Sequence, residues 1–455
     1  MRPRAGEDLE ALSNNLLNVV PEDPIYRVIM RAVGDRLSPE QKELYDAIPH
    51  VRLAIADGFF AHYSVYPILR DRNGDHFMER LRRVFSKYMA SDEFTRARRS
   101  TVLDEDVSMV YAVELAKTIL EELRRASGRL SSLWDGGVRG GERTPAGERS
   151  GEASTPPSIE ALLSRALRRA ASAAFIARSL KELMGSKGAG TEEGFIEKLI
   201  DLTSYVLVVD DARSIVELAA RVTRELPRRV RLLKRRERRG DELRGYSATS
   251  KIERALAREL SLPDALLEYK IAVGQLLARE LEESAEGTLY VLLDKSGSMC
   301  GFKMIWSRSV ALALFKLAKL KGSRFALRMF DVKVHPENGP PLEKPTEILE
   351  ALLKIPPNGG TRIASSIEQA LLDVAARERS SGTSTLVLIT DGEDTVMLER
   401  AKLESSRAIL VTVMVGGDNE ALREVSDFYY QVVPSERNVS GVLKLIERAR
   451  LGSSA

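Results

Sequence analysis

Two aspartates and three hydroxyl residues, each placed at or beyond the end of an apolar run, are the side chains of this sequence best suited to chemistry. The stretch LLDKSGSMCG, residues 292–301, closes an apolar run on Asp294 and continues with Ser296 and Ser298 in a D-x-S-x-S spacing. Thr361 stands in PPNGGTRIAS ahead of a helical pattern, and Asp391 follows the apolar run of LVLITDGED. A chain leaving a strand directs every second side chain to one side. Asp294, Ser296 and Ser298 can therefore aim at a single point, with Gly297 read as easing the turn. Hard oxygen donors of this kind suit Mg²⁺, or Mn²⁺, in near-octahedral coordination at about 2.0–2.1 Å for Mg²⁺. Lys295, between the first two donors, would either weaken such a site or point to solvent.

The other reactive side chains do not assemble a catalytic set. The four histidines, His50, His62, His76 and His335, are too scattered for a zinc motif and read as surface or core residues. A single cysteine, Cys300, excludes an internal disulfide and a multi-thiolate metal site within one chain, and reads as a small buried residue at a helix start. No G-x-x-x-x-G-K-[ST] occurs, so a phosphate-binding loop of that type is absent. Glu393 and Asp394 lie just past Asp391 and read as acids favoured by a helix N-terminus rather than as bases. Metal-assisted hydrolysis is thereby the weaker reading, and a non-catalytic role the expected one.

The elements that must position these donors change character along the chain. Residues 1–134 carry helical periodicity, with Val110, Val113, Leu120 and Leu123 on one stripe. Residues 135–158 are rich in Gly, Ser, Thr, Pro and charge and read as a linker or loop. Helical patterns resume over 159–285: IEALLSRALRRAASAAFIARSLKELMG, a helix over 192–226, and helix again through AVGQLLARELEE with Leu276, Leu277 and Leu281 as its apolar side. Within this region lies a basic stretch, 228–239, in which Arg235, Arg236, Arg238 and Arg239 crowd together. Such density calls for a solvated face, an acidic neighbour, an acidic protein surface or nucleic acid. No aromatic residue interleaves it, which argues against a platform for stacking bases.

From residue 286 to 455 apolar β-rich runs alternate with helical patterns: LYVLLD, RFALRMF, STLVLIT, AILVTVMV and FYYQVV, with DVKVHPE as a short antiparallel edge. Strands apolar throughout and separated by helices define a mostly parallel, doubly wound α/β sheet, whose ligands gather at the carboxyl ends of the strands. The expected architecture is this α/β domain preceded by an all-α region.

Composition sets the outer limits. At 455 residues and 44% apolar the chain can bury the cores of two or three domains. Charge is balanced at +3 although 30% of residues are charged, while amides are few, a combination that fits a thermophile. No run approaches the roughly eighteen apolar residues of a membrane span, and MRPRAGEDLEALSNN lacks the apolar core of a secretory signal, so a cytoplasmic location is expected.

DKSGSM, GGT and ITDGED, in this order on an alternating β/α frame, resemble the metal-ion-dependent adhesion site (MIDAS) of von Willebrand factor A (VWA) domains. The resemblance implies that Asp294, Ser296, Ser298, Thr361 and Asp391 hold Mg²⁺ and leave one coordination position for a partner's carboxylate. Upstream, AVGQLLARELEESAEGTLYVLLDKSGSM resembles the junction in MoxR-associated VWA proteins, the ViaA and CoxE-like group, which also place a long helical region before the VWA domain. That likeness implies an adaptor or co-chaperone whose partner is a MoxR-type AAA+ ATPase and which acts on client proteins. Ro-type (TROVE) proteins likewise join helices to a VWA domain, which leaves RNA binding through the arginine stretch as the alternative.

Overall fold

In the computed structural model, residues 24–69, 76–126, 159–184, 194–224, 226, 242–250, 252, 255–282, 287–337, 339–377, 383–394 and 408–452 are described. The linker expected over 135–158 and the arginine stretch 228–239 lie outside them. Two compact units divide the chain, one of residues 1–182 and 186–213, the other of 183–185 and 214–455.

The described part of the first unit is helical: α1 (Pro24–Gly34), α2 (Pro39–Ala47), α3 (Pro49–Tyr63), α4 (His76–Met89), α5 (Asp92–Thr101), α6 (Glu105–Ala126), most of α7 (Ile159–Met184), α8 (Phe195–Val208) and the first turn of α9 (Asp210–Thr223). The stripe read on α6 is buried, yet Glu114 on the same helix is buried too, where it accepts hydrogen bonds from Lys117 and Ser204. The single helix expected over 192–226 is two, because Val209 leaves helical geometry at φ −102° and the acids Asp210 and Asp211 begin a new N-terminus.

In the second unit β1 (Glu242–Thr249) pairs antiparallel with β2 (Leu276–Glu282), and α10 (Ala257–Leu260) and α11 (Asp264–Ala272) lie between them in sequence. The helix expected through AVGQLLARELEE is therefore corrected to a strand over 276–282. Gly274, at φ 68°, ends the preceding helix, and the ladder partner that fixes the strand lies some thirty residues upstream, where local periodicity carries no information about it.

The α/β domain follows as β3 (Leu289–Asp294), α12 (Phe302–Lys321), β4 (Phe325–Phe330), β5 (Val334–His335), α13 (Pro345–Lys354), α14 (Ile363–Arg377), β6 (Ser384–Thr390), β7 (Ala408–Val415), α15 (Glu420–Val425), β8 (Phe428–Val432) and α16 (Val439–Gly452). The strand order is β5-β4-β3-β6-β7-β8, parallel except for the edge strand β5. One face, bearing Tyr290, Leu292, Phe330, Leu386, Leu388 and Leu410, packs on Ile363, Ile367 and Ala370 of α14. The intervening Val291, Leu293, Leu327 and Val387 are equally buried, and α12 is buried along most of its length against β3 and β4. Both faces are thus covered, as strands without polar alternation require. Gly322, at φ 83°, closes α12, whose last turn carries Lys319 and Lys321 in accord with the helix dipole.

Candidate functional site

The central strands β3 and β6 are neighbours and end together, with Leu293 opposite Ile389. Asp294 and Asp391 consequently stand side by side at their carboxyl ends, both buried. Each oxygen of Asp294 is held: Oδ1 accepts the Ser296 N–H at 2.8 Å, and Oδ2 accepts the Thr390 hydroxyl at 2.6 Å. Burial raises the pKa of the Asp294 carboxyl above its ordinary value, against these hydrogen bonds, and the charge of Asp391 adds to the rise.

Ser296 and Ser298 extend the site. Their hydroxyl oxygens are 3.1 Å apart, and the Ser298 hydroxyl donates to Asp391 Oδ1 at 3.1 Å. Adjacent ligands of an octahedral Mg²⁺ with bonds of about 2.0–2.1 Å are separated by about 2.9 Å. The two serine oxygens are therefore spaced as neighbouring ligands would be, and the donor set of carboxylates and hydroxyls fits such an ion. Gly297 has an ordinary φ and opens a short 3₁₀ turn (Gly297–Met299); the left-handed residue in this loop is Gly301, at φ 77°. The freedom assigned to Gly297 belongs there.

The loop that carries Thr361 is tied to the site by its backbone. Gly297 N–H donates to the Gly359 carbonyl at 3.0 Å, and Asn358 N–H to the Lys295 carbonyl at 2.7 Å. Arg362 N–H donates to the carbonyl of Asp331, so the loop is clamped between the ends of β3 and β4. Asp294, Ser296, Ser298 and Asp391 are joined by hydrogen bonds, whereas Thr361 is brought near only by this backbone clamp.

Several residues escaped the sequence reading. Lys303, at the second position of α12, donates to Asp391 Oδ2 at 2.9 Å. A cation in the first helical turn opposes the helix dipole, which is the signal that it has an acidic partner elsewhere. Lys295 does not point to solvent: it is buried and paired with Asp331. Burial opposes ionisation of Asp331, but Lys295, the Lys333 N–H and His335 hold its carboxyl below the usual range. Asp394 accepts the Ile363 N–H at 2.8 Å and so caps α14, a helix distant in sequence. Glu393 is exposed, and Cys300 is exposed rather than buried. Asn419 donates to the carbonyls of Gly392 and Asp394 and secures the last loop. Gly392, at φ 77°, holds a backbone conformation that strains any L side chain, and a Cβ there would also displace the flexible end of Met414.

Because Asp394 satisfies an otherwise unpaired N-terminal N–H, Asp394→Ala should lower unfolding free energy by about 1 kcal/mol. Urea denaturation checks this, and an unchanged midpoint would remove Asp394 from its capping role.

A parallel sheet whose central strand ends carry D-x-S-x-S, with a GGT loop and a TDG turn beside it, is the architecture of a VWA domain. Residues 289–393 match the von Willebrand factor type A domain family, and the chain carries such a domain in its C-terminal part. Similar proteins include an uncharacterized protein of Methanocaldococcus jannaschii, 28% identical over 39% of this chain and 43% of that one. A VWFA domain-containing protein of Acidianus two-tailed virus is 31% identical over 27% of this chain and 14% of its own. The chain thus spans less than half the length of either relative. Similar solved structures include a von Willebrand factor type A structure from Catenulispora acidiphila, 18% identical over 39% of this chain and 43% of that one, TM-score 0.28. Another is BatB from Bacteroides thetaiotaomicron, 15% identical over 36% and 99%, TM-score 0.29. Among the described residues no helix is long and apolar enough to cross a membrane.

Proposed function

We propose that the VWA domain is a metal-dependent, non-catalytic binding module. Asp294, Ser296, Ser298, Thr361 and Asp391 would hold Mg²⁺, or Mn²⁺, and an acidic residue of a protein partner would complete the coordination. The bound ion supplies a Lewis-acidic position that a carboxylate can occupy. The residues of this chain do the rest: Ser296 N–H and Thr390 fix the orientation of Asp294, and the clamped 358–362 loop presents Thr361. The observation that carries this reading is the hydrogen-bonded set of Asp294, Ser296, Ser298 and Asp391 at the end of two central strands.

The order of a helical region followed by a VWA domain supports a MoxR-type AAA+ ATPase as the partner, with the helices engaging it or its client, in the cytoplasm. The test is capture by the tagged full chain. An AAA+ ATPase should be retained in Mg²⁺ and released by chelator, and Asp294→Ala or Ser296→Ala should abolish retention while circular dichroism stays unchanged. Retention that persists in chelator, or in those variants, would contradict the mechanism.

A further inference from the structure

The two carboxyl groups of the site, Asp294 and Asp391, are buried side by side, and a desolvated carboxylate needs a counter-charge. Lys303 provides one. Its ammonium lies 2.9 Å from Asp391 Oδ2, while Asp391 Oδ1 takes the Ser298 hydroxyl, so both carboxylate oxygens are satisfied within the chain. Lys295, the neighbouring ammonium, is committed to Asp331.

The placement of Lys303 differs from that of a structural ion pair buried at both ends. Its side chain is 32% exposed, whereas that of Asp391 is 1% exposed. Its stem runs beside Gly416, where a Cβ would come no closer than 3.6 Å to the lysine Cε, an ordinary contact. The stem therefore has a seat over the β7–α15 turn and an open route to water. The N-terminus of α12, with its positive dipole end, also disfavours the ammonium there, so Asp391 is what holds it.

We propose that Lys303 is a tethered counter-ion that competes with the divalent cation for Asp391. This rests on the metal reading above. Without metal, Lys303 keeps Asp391 neutralised and the loops in place; when a cation enters, the ammonium is displaced toward solvent. The displacement lowers apparent metal affinity, as any equilibrium that must be reversed before binding does.

The experiment titrates Mn²⁺ into the full-length protein, following free Mn²⁺ by electron paramagnetic resonance, for wild type, Lys303→Met and Lys303→Arg. Lys303→Met should bind about tenfold tighter or more, and Lys303→Arg should resemble wild type. In chelator Lys303→Met should melt below wild type, and saturating Mg²⁺ should raise its melting temperature more than that of wild type. Equal or weaker Mn²⁺ binding by Lys303→Met, with wild type binding normally, overturns the competition and leaves the metal reading intact. Absence of binding by both proteins in millimolar Mn²⁺ overturns both.

Discussion

An Arg328→Met variant should lose about 3–5 kcal/mol of unfolding free energy, the usual cost of removing one partner from a buried ion pair. Arg328 sits in the middle of β4, between Ala326 and Phe330 on the face that packs against α14. Its Nε lies 2.6 Å from Asp373 Oδ2, the oxygen that also accepts the Tyr290 hydroxyl at 2.6 Å. The remaining guanidinium donors reach the carbonyls of Pro336 and Gly339, so this side chain also pins the loop after the edge strand β5. Methionine fills similar volume but leaves the Asp373 carboxylate charged in a desolvated place. The double change Arg328→Met with Asp373→Asn, which keeps an acceptor for the Tyr290 hydroxyl, should therefore cost less than the single one, because the stranded charge is gone. Urea denaturation of the three proteins checks the order, and a double variant less stable than the single would refute the account.

Acid should weaken the helical unit through His62. The ring is fully buried, and burial, with Arg98 adding to it, pushes its pKa down to about 3. Hydrogen bonding assigns the neutral tautomer. Thr101 Oγ1 donates to the carbonyl of His62 itself at 3.1 Å, so it can only accept from Nδ1, 3.2 Å away. Nε2 then accepts from the Tyr88 hydroxyl at 3.0 Å, and a proton there would oppose that donor. The unfolded chain binds this proton below its ordinary pKa of about 6.5, while the folded chain refuses it until about pH 3. Stability is thus at its full value above about pH 6.5 and falls by about 1.4 kcal/mol per pH unit between 6.5 and 3. At pH 4.5 the loss from this one residue should reach about 2–3 kcal/mol. Carboxylates titrate in the same range, so the measurement is the difference between wild type and His62→Gln in urea denaturation at pH 7.5 and 4.5. Equal losses in the two proteins would exclude His62 as the cause.

The parts of this molecule that could be read in advance share one property: the determinant lies within a few neighbouring residues. LYVLLD and AILVTVMV read as strands because they are apolar and β-rich almost throughout, and the D-x-S-x-S spacing alone gathers Asp294, Ser296 and Ser298 at one strand end. What escaped depends on pairings across long separations. The strand over 276–282 is set by residues 242–249, and Arg328 reads as a blemish in an apolar run until Asp373 is beside it. Asp394 reads as a helix-start acid, and it caps α14, a helix some thirty residues upstream that no local pattern relates to it. Thr390 looks like any β-branched strand residue, yet its hydroxyl orients Asp294. The network around His62 draws on α3, α4, α5 and α6, which no local pattern relates.

One turn beyond Lys303, the same helix carries Trp306, fully buried with its indole N–H on the Ser435 carbonyl at 3.0 Å. That proximity gives the domain an intrinsic optical gauge. If Lys303 is displaced by a cation as proposed, any accompanying shift of the helix would alter the indole's surroundings and hence its emission. With Trp134 replaced by phenylalanine, Trp306 emission would report on the proposed cation site in unlabelled protein, in real time and without a partner present.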